Sequence, residues 1–213
     1  MGLNPTMNAI QRVAFSGDIS AAAAKYGLDA RLLAAVAAQE TGGPGSNSGR
    51  NIVGDGGHGH GLFQIDDRFH AFARTAQAMN PAANADYAAH MLSGLLQKYG
   101  GDVRKALSAY NAGSPNARGT VTEWQDGEQL GYADSVLRHY TDLRAESQTE
   151  QSNVNALSNF ALFQPLTPLA TSPPPQTQSH SYRQLAGLDD NGHAKQGDPF
   201  ASILDAGGDD DDS

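Results

Sequence analysis

The stretch DARLLAAVAAQETGGPG, residues 29–45, decides how the rest of the chain is read. Asp29 is a good helix-capping residue, and in the helix expected over residues 30–40 Leu32, Leu33, Val36 and Ala37 fall at i, i+1, i+4 and i+5, forming one apolar stripe. Thr41-Gly42-Gly43-Pro44-Gly45 must end that helix, because glycine and proline cannot continue it cheaply. Glu40 therefore stands at the close of an apolar helix, where its carboxyl is partly removed from water. Burial disfavours the ionised form and raises the pKa, as a general acid working near neutral pH requires. Position alone fits a solvated helix-end glutamate better, so the surrounding sequence has to decide.

Upstream, Asp18 can cap a short helix over residues 19–26 that stops at Gly27. Downstream, residues 41–61 are mostly Gly, Ser, Asn and Asp, with Ile52-Val53 the only apolar pair, and read as a long loop with a small hairpin. Helical segments follow around residues 68–79, 82–99, 102–112 and 130–146, punctuated by Asn80-Pro81 and Gly100-Gly101. Residues 114–129 form a second polar loop carrying the single tryptophan, Trp124. From about Ser147 the composition changes to polar stretches, a Ser172-Pro173-Pro174-Pro175 run and a terminal cluster at Asp209 to Asp212. Two apolar islands, residues 156–163 and 200–204, interrupt it. The expected organisation is a mainly α (α+β) catalytic body over residues 1–147, with a small glycine-rich loop or hairpin. A polar, proline-rich, acidic tail follows over residues 148–213, disordered or serving as a docking segment.

The chain has a formal net charge of −9, and the tail holds most of it: residues 148–213 contain nine Asp+Glu against two Lys+Arg, residues 1–147 fourteen against twelve. A nearly neutral body argues against nucleic acid as a ligand. No cysteine is present, which removes disulfides and thiol chemistry. Residues 1–11 lack a basic start, an apolar run and a small-residue cleavage site, so no secretory signal peptide is expected. No stretch approaches the roughly 18 consecutive apolar residues of a membrane-spanning helix, so no membrane insertion is expected either. The protein is expected to be made in the cytoplasm.

Three ordered blocks alter the weight of Glu40. Gly54-Asp55-Gly56-Gly57-His58-Gly59-His60-Gly61-Leu62-Phe63-Gln64-Ile65-Asp66, continuing to Arg68-Phe69-His70, resembles the central signature of goose-type lysozymes. Ser108-Ala109-Tyr110-Asn111-Ala112-Gly113 resembles the second signature that goose-type lysozymes share with lytic transglycosylases, and Tyr132-Ala133-Asp134-Ser135-Val136 the helix these enzymes place beside their cleft. The resemblance covers about residues 18–146. It implies a lysozyme-like, mostly helical fold that cleaves peptidoglycan glycan strands between N-acetylmuramic acid and N-acetylglucosamine without a cofactor. It also implies Glu40 as catalytic acid, Asp66 and Asp55 as residues positioning an attacking water, and Gln64, Tyr110, Asn111, Tyr132 and His70 as the substrate-binding set. The chain departs from the pattern at Thr41, where serine is more frequent, and at Phe63, which replaces a methionine.

The chemistry gives these residue types a reason. Glycoside cleavage needs one protonated carboxyl for the leaving oxygen, and an inverting hydrolase needs a base about 6.5–9.5 Å away with room for water. Retention of both aspartates favours an inverting muramidase. The alternative is a lytic transglycosylase, in which Glu40 is acid and then base and the sugar's own hydroxyl closes a 1,6-anhydro ring; a third reading is a wall-binding or virion structural module without catalysis. His58, His60 and His70 invite a metal reading, but glycine-rich segments hold ligand geometry poorly and the resemblance requires no metal. Trp124 and Tyr132 can either stack on sugars or pack internally. A substrate outside the membrane and no export signal together fit a phage virion protein or lysin, or delivery by a secretion machine, with residues 150–213 as the segment that engages the partner.

Overall fold

A computed structural model describes residues 10–161 of the chain. Helix α1, Ser16–Tyr26, starts earlier than Asp18 suggests, because Phe15 adopts a left-handed conformation (φ 60°) and turns the chain into it. Asp18 lies instead in the first turn, where its charge still meets the positive end of the helix dipole. Gly27, at φ 68°, ends α1 in the left-handed conformation that glycine takes without penalty. Asp29 caps α2, Ala30–Ala37, accepting from the backbone N–H of Arg31 at 2.9 Å. Every residue from Leu32 to Ala37 is buried, and a helix apolar on all sides belongs at the centre. α2 packs against α1 on one side and the last helix on the other.

The regular part of α2 stops before Glu40. Residues Ala38–Gly42 form one π-helical turn, closed by the Gly43 N–H on the Ala38 carbonyl at 2.9 Å. The glycine-rich stretch beyond it forms a three-stranded antiparallel sheet of β1 (Ile52–Gly54), β2 (Gly59–Gly61) and β3 (Ile65–Asp66), in that order. Val53 pairs with His60, and His60 with Ile65. Residues 68–79, expected to be helical, make only two short 3₁₀ turns, Ala71–Arg74 and Ala76–Met79, because Thr75 between them is extended.

Helix α3, Pro81–Lys98, begins with proline in its first turn and Asn80 accepting from Ala83 N–H at 3.1 Å. Helix α4, Val103–Ala112, is capped by Asp102 on Lys105 N–H and ends at Gly113, φ 71°. α3 packs on α1 and α4, and α4 on the last helix. The second polar loop contains a short hairpin, β4 (Thr122–Glu123) with β5 (Gln129–Leu130). Helix α5, Tyr132–Ala161, continues past the expected end at residue 146. Its polar composition from Ser147 onward contains no glycine or proline before Pro165, and polarity alone does not break a helix. The first apolar island thus begins inside α5; the proline run, the second island and the terminal acidic cluster lie outside the described residues. The architecture is the mainly helical α+β arrangement expected, with the small sheet beside the end of α2. Among the described residues no helix is long and apolar enough to cross a membrane.

Candidate active site

Glu40 sits in the π turn with its carboxylate Oε1 accepting from the Tyr132 hydroxyl at 2.6 Å. By surface area it keeps some exposure, yet protein atoms enclose the carboxyl closely, and that enclosure controls its protonation. Burial pushes its pKa from 4.5 up to about 7, partly offset by the Tyr132 hydrogen bond, which favours the carboxylate. Tyr132 opens α5 and is held there by its own N–H on the Arg118 carbonyl at 3.0 Å. Tyr110, from α4, stacks on Tyr132 with ring centroids 6.4 Å apart and planes 17° from parallel. Burial, and then the charge of Glu40, pushes both phenols well above the usual tyrosine range, so both stay protonated donors.

The segment Gly61-Leu62-Phe63-Gln64 is the spine on which these groups meet. Phe63 O accepts from the Tyr110 hydroxyl at 3.4 Å, while Phe63 N–H donates to Asn84 Oδ1 at 2.8 Å. Asn84 is fully buried on α3 and also donates to the carbonyls of His60 (3.0 Å) and Ala78 (2.9 Å), so its amide is satisfied on all sides. Gly61, at φ +78°, lies so close to this amide that a Cβ would stand 2.5 Å from both Ala78 O and Asn84 Nδ2. Gln64 is turned inward by φ 48° and donates to the carbonyls of Ile52 (3.0 Å) and Gly61 (2.9 Å), so its amide holds the sheet together. Asn111 braces the second loop, accepting from Thr120 N–H at 2.9 Å and donating to Thr120 Oγ1 at 3.3 Å.

Asp55 and Asp66 form a separate cluster around Arg68. Asp66 accepts from Arg68 N–H at 2.8 Å and from Arg68 Nε at 3.0 Å, and Arg68 Nη2 also bonds both aspartates. The Arg68 guanidinium holds the Asp66 carboxyl below the usual range. Asp55, left-handed at φ 46°, keeps its side chain 63% exposed. Neither aspartate contributes to the Glu40 shift, whose sources are burial and Tyr132. His70 Nδ1 is hydrogen-bonded to the Tyr87 hydroxyl at 3.2 Å, and burial lowers its pKa against the opposing pull of Asp66. Tyr87 stacks on Phe72 at 4.3 Å. The structure therefore gathers Glu40, Tyr110 and Tyr132, and leaves the two aspartates engaged with a cation.

Arg68 was not read from the sequence as a partner of either aspartate, although it stands two residues from Asp66. Asn84 carried no local signal, since its partners are 6 to 24 residues away. Trp124 is 5% exposed and packs internally: Nε1 donates to Ser135 Oγ at 2.9 Å, with His139 on one side of the ring and Arg138 over it. His58 Nδ1 and His60 Nε2 both meet the Asp67 carboxylate, at 2.8 and 3.2 Å. Among the described residues no group of three His, Cys, Asp or Glu side chains is arranged to hold a metal ion.

Comparison with known proteins places these features in context. The transglycosylase SLT domain matches residues 18–129. Protein IpgF of Shigella flexneri is 29% identical over 138 residues, covering 61% of this chain and 83% of that protein. Protein IpgF of Shigella sonnei is 28% identical over the same length and shares. No solved structure matches. The Glu40 turn, the Gly61-Leu62-Phe63-Gln64 spine and Tyr110 all fall inside the matched residues, and the chain belongs to the transglycosylase SLT domain family of peptidoglycan-cleaving enzymes.

Proposed function

We propose that the chain is a lytic transglycosylase, with Glu40 acting as general acid and then as general base. The reading is carried by the state of the carboxyls: Glu40 is poised near pH 7, while both candidate water-activating aspartates are ion-paired with Arg68. A pKa near the working pH suits a group that must give and then take a proton. In the first step the protonated Glu40 donates to the oxygen linking N-acetylmuramic acid to N-acetylglucosamine, and the glycosidic bond breaks. In the second, the Glu40 carboxylate takes the proton of the muramic acid 6-hydroxyl as that oxygen bonds to C1, giving a 1,6-anhydro product and restoring the acid. Tyr132 steadies the carboxylate between the two steps, and Tyr110 stacks on the Tyr132 ring. No second carboxylate is needed. This replaces the inverting muramidase that the mere presence of Asp55 and Asp66 favours, since a base bound to a guanidinium is a poor proton acceptor.

In the same reading residues 1–147 are the catalytic body and residues 148–213 an appendage for delivery. Both relatives are bacterial proteins, which supports a bacterial secretion machine over a virion as the partner.

Dye release from labelled peptidoglycan tests the assignment of roles. Glu40→Gln is expected to lower the rate by about 10²- to 10⁴-fold, the span of general acid–base catalysis. Asp66→Asn is expected to keep most of the rate. A comparable loss in both would restore the hydrolase reading, and an active Glu40→Gln would remove Glu40 from the chemistry.

A further inference from the structure

The three central side chains of the π turn, Gln39, Glu40 and Thr41, are each hydrogen-bonded to groups outside it. Gln39 Oε1 accepts from Ser135 Oγ of α5 at 2.5 Å, and its Nε2 donates to Thr122 Oγ1 of the β4–β5 hairpin at 2.8 Å. Ser135 Oγ in turn accepts from Trp124 Nε1 at 2.9 Å, so the hairpin is tied to the turn at two points. Glu40 meets Tyr132. Thr41 is 5% exposed; its Oγ1 lies 3.1 Å from the carbonyls of Ala37 and of Leu62 and accepts from Arg50 N–H at 2.7 Å. The Thr41 carbonyl also accepts from Arg50 Nε at 2.8 Å. The returning loop presses on this point: a Cβ at Gly49 would stand 2.6 Å from Ala37 O and 2.8 Å from Thr41 Oγ1.

A π turn is a rare backbone state, and such states persist where the surroundings over-determine them. Relaxing it to ordinary α geometry removes one residue from the turn. That moves the following side chains by about 100° around the helix axis. A carboxyl displaced by that much loses Tyr132 and its enclosure together. We propose that Gln39 and Thr41 are positioning residues that hold Glu40 against Tyr132 by pinning the π turn from opposite sides, Gln39 from α5 and the hairpin and Thr41 from the glycine-rich sheet. Neither needs to touch the sugar. The inference rests on Glu40 being the catalytic acid.

The test compares the full chain with Thr41→Val, Thr41→Ser, Gln39→Leu and Glu40→Gln. Thermal melts establish folding; kcat, KM and the pH dependence of kcat/KM on soluble glycan fragments are then measured. Thr41→Val is expected to lose roughly 100-fold in kcat, the size of a 1 Å misplacement, with KM little changed. Its alkaline limb should move toward acid, because a carboxyl that gains water loses its proton at lower pH. Thr41→Ser, which keeps the hydroxyl, should recover most of the rate and the limb. Gln39→Leu should shift both quantities in the same direction, by about tenfold in kcat. Folded Thr41→Val and Gln39→Leu proteins with wild-type kcat and an unmoved limb would overturn the inference. So would a rate loss shared by Thr41→Ser with the limb unmoved, which would signify packing alone. Should Thr41→Val fail to fold, Gln39→Leu, on the more open side, decides by the same two readouts. An active Glu40→Gln would instead defeat the assignment of the acid; an inactive one beside unaffected Thr41→Val and Gln39→Leu would defeat only the positioning role.

Discussion

Glu40 is a group whose protonation is set by where the chain puts it. Its folded pKa of about 7 lies above the 4.5 of an unburied glutamate, so the folded protein holds this proton more tightly than the unfolded chain. The stability tied to it is fully present below pH 4.5 and is lost as pH rises through 7, by up to about 3 kcal/mol. Glu40→Gln carries no such charge and should therefore melt above wild type at pH 8, with the difference closing by pH 4. Melting temperatures at the two pH values check this, and a variant less stable at both would contradict the burial of the carboxyl. Tyr132 acts on the same proton from the other side. Tyr132→Phe removes a hydrogen bond that favours the carboxylate, so the Glu40 pKa should rise and the alkaline limb of kcat/KM should move to higher pH. A limb that stays or moves toward acid would place the hydroxyl elsewhere. Glu40 was legible in the sequence because an apolar helix runs into glycines beside three ordered motifs. The neutralisation of Asp55 and Asp66 was not, because motif order says where aspartates stand and not which cation they meet.

At the scale of elements, the apolar stripe and the cap at Asp29 placed α2, whereas Asp18 lies in the first turn of α1 and does not cap it; Asn80 and Asp102, which cap α3 and α4, stand at the punctuation points Asn80-Pro81 and Gly100-Gly101. The π turn escaped such reading. Its closure is decided by Ser135, Thr122, Leu62 and Arg50, residues distant in sequence whose approach no local periodicity reports. The glycine-rich spine is constrained in the same way, by Asn84 of α3, which stands 23 residues from Gly61 in the sequence. Gly61→Ala tests that directly, for the added Cβ would meet Ala78 O and Asn84 Nδ2 at 2.5 Å from a backbone at φ +78°. A stability loss of about 2–3 kcal/mol in denaturant unfolding is expected. Gly17→Ala in α1, with nothing within 4 Å of the new Cβ, should be neutral or slightly stabilising. Equal effects at the two positions would mean that the Asn84 contact does not constrain the spine.

Across the whole molecule, one buried helix, α2, organises the rest, and its end carries the candidate acid to the junction of the sheet, α4 and α5. The change of composition near Ser147 does not mark a change of secondary structure, since α5 crosses it without interruption to Ala161. Helices respond to glycine, proline and packing, and a run of Gln, Ser, Thr and Asn supplies no stop. The central claim is that this arrangement closes the sugar ring on itself and uses no water. Mass spectrometry of the products released by the wild-type protein from purified peptidoglycan measures that outcome directly. Muropeptides ending in 1,6-anhydromuramic acid are expected, each lighter by one water than the corresponding hydrolysis product and absent with Glu40→Gln; a predominance of hydrated reducing ends would overturn the transglycosylase assignment.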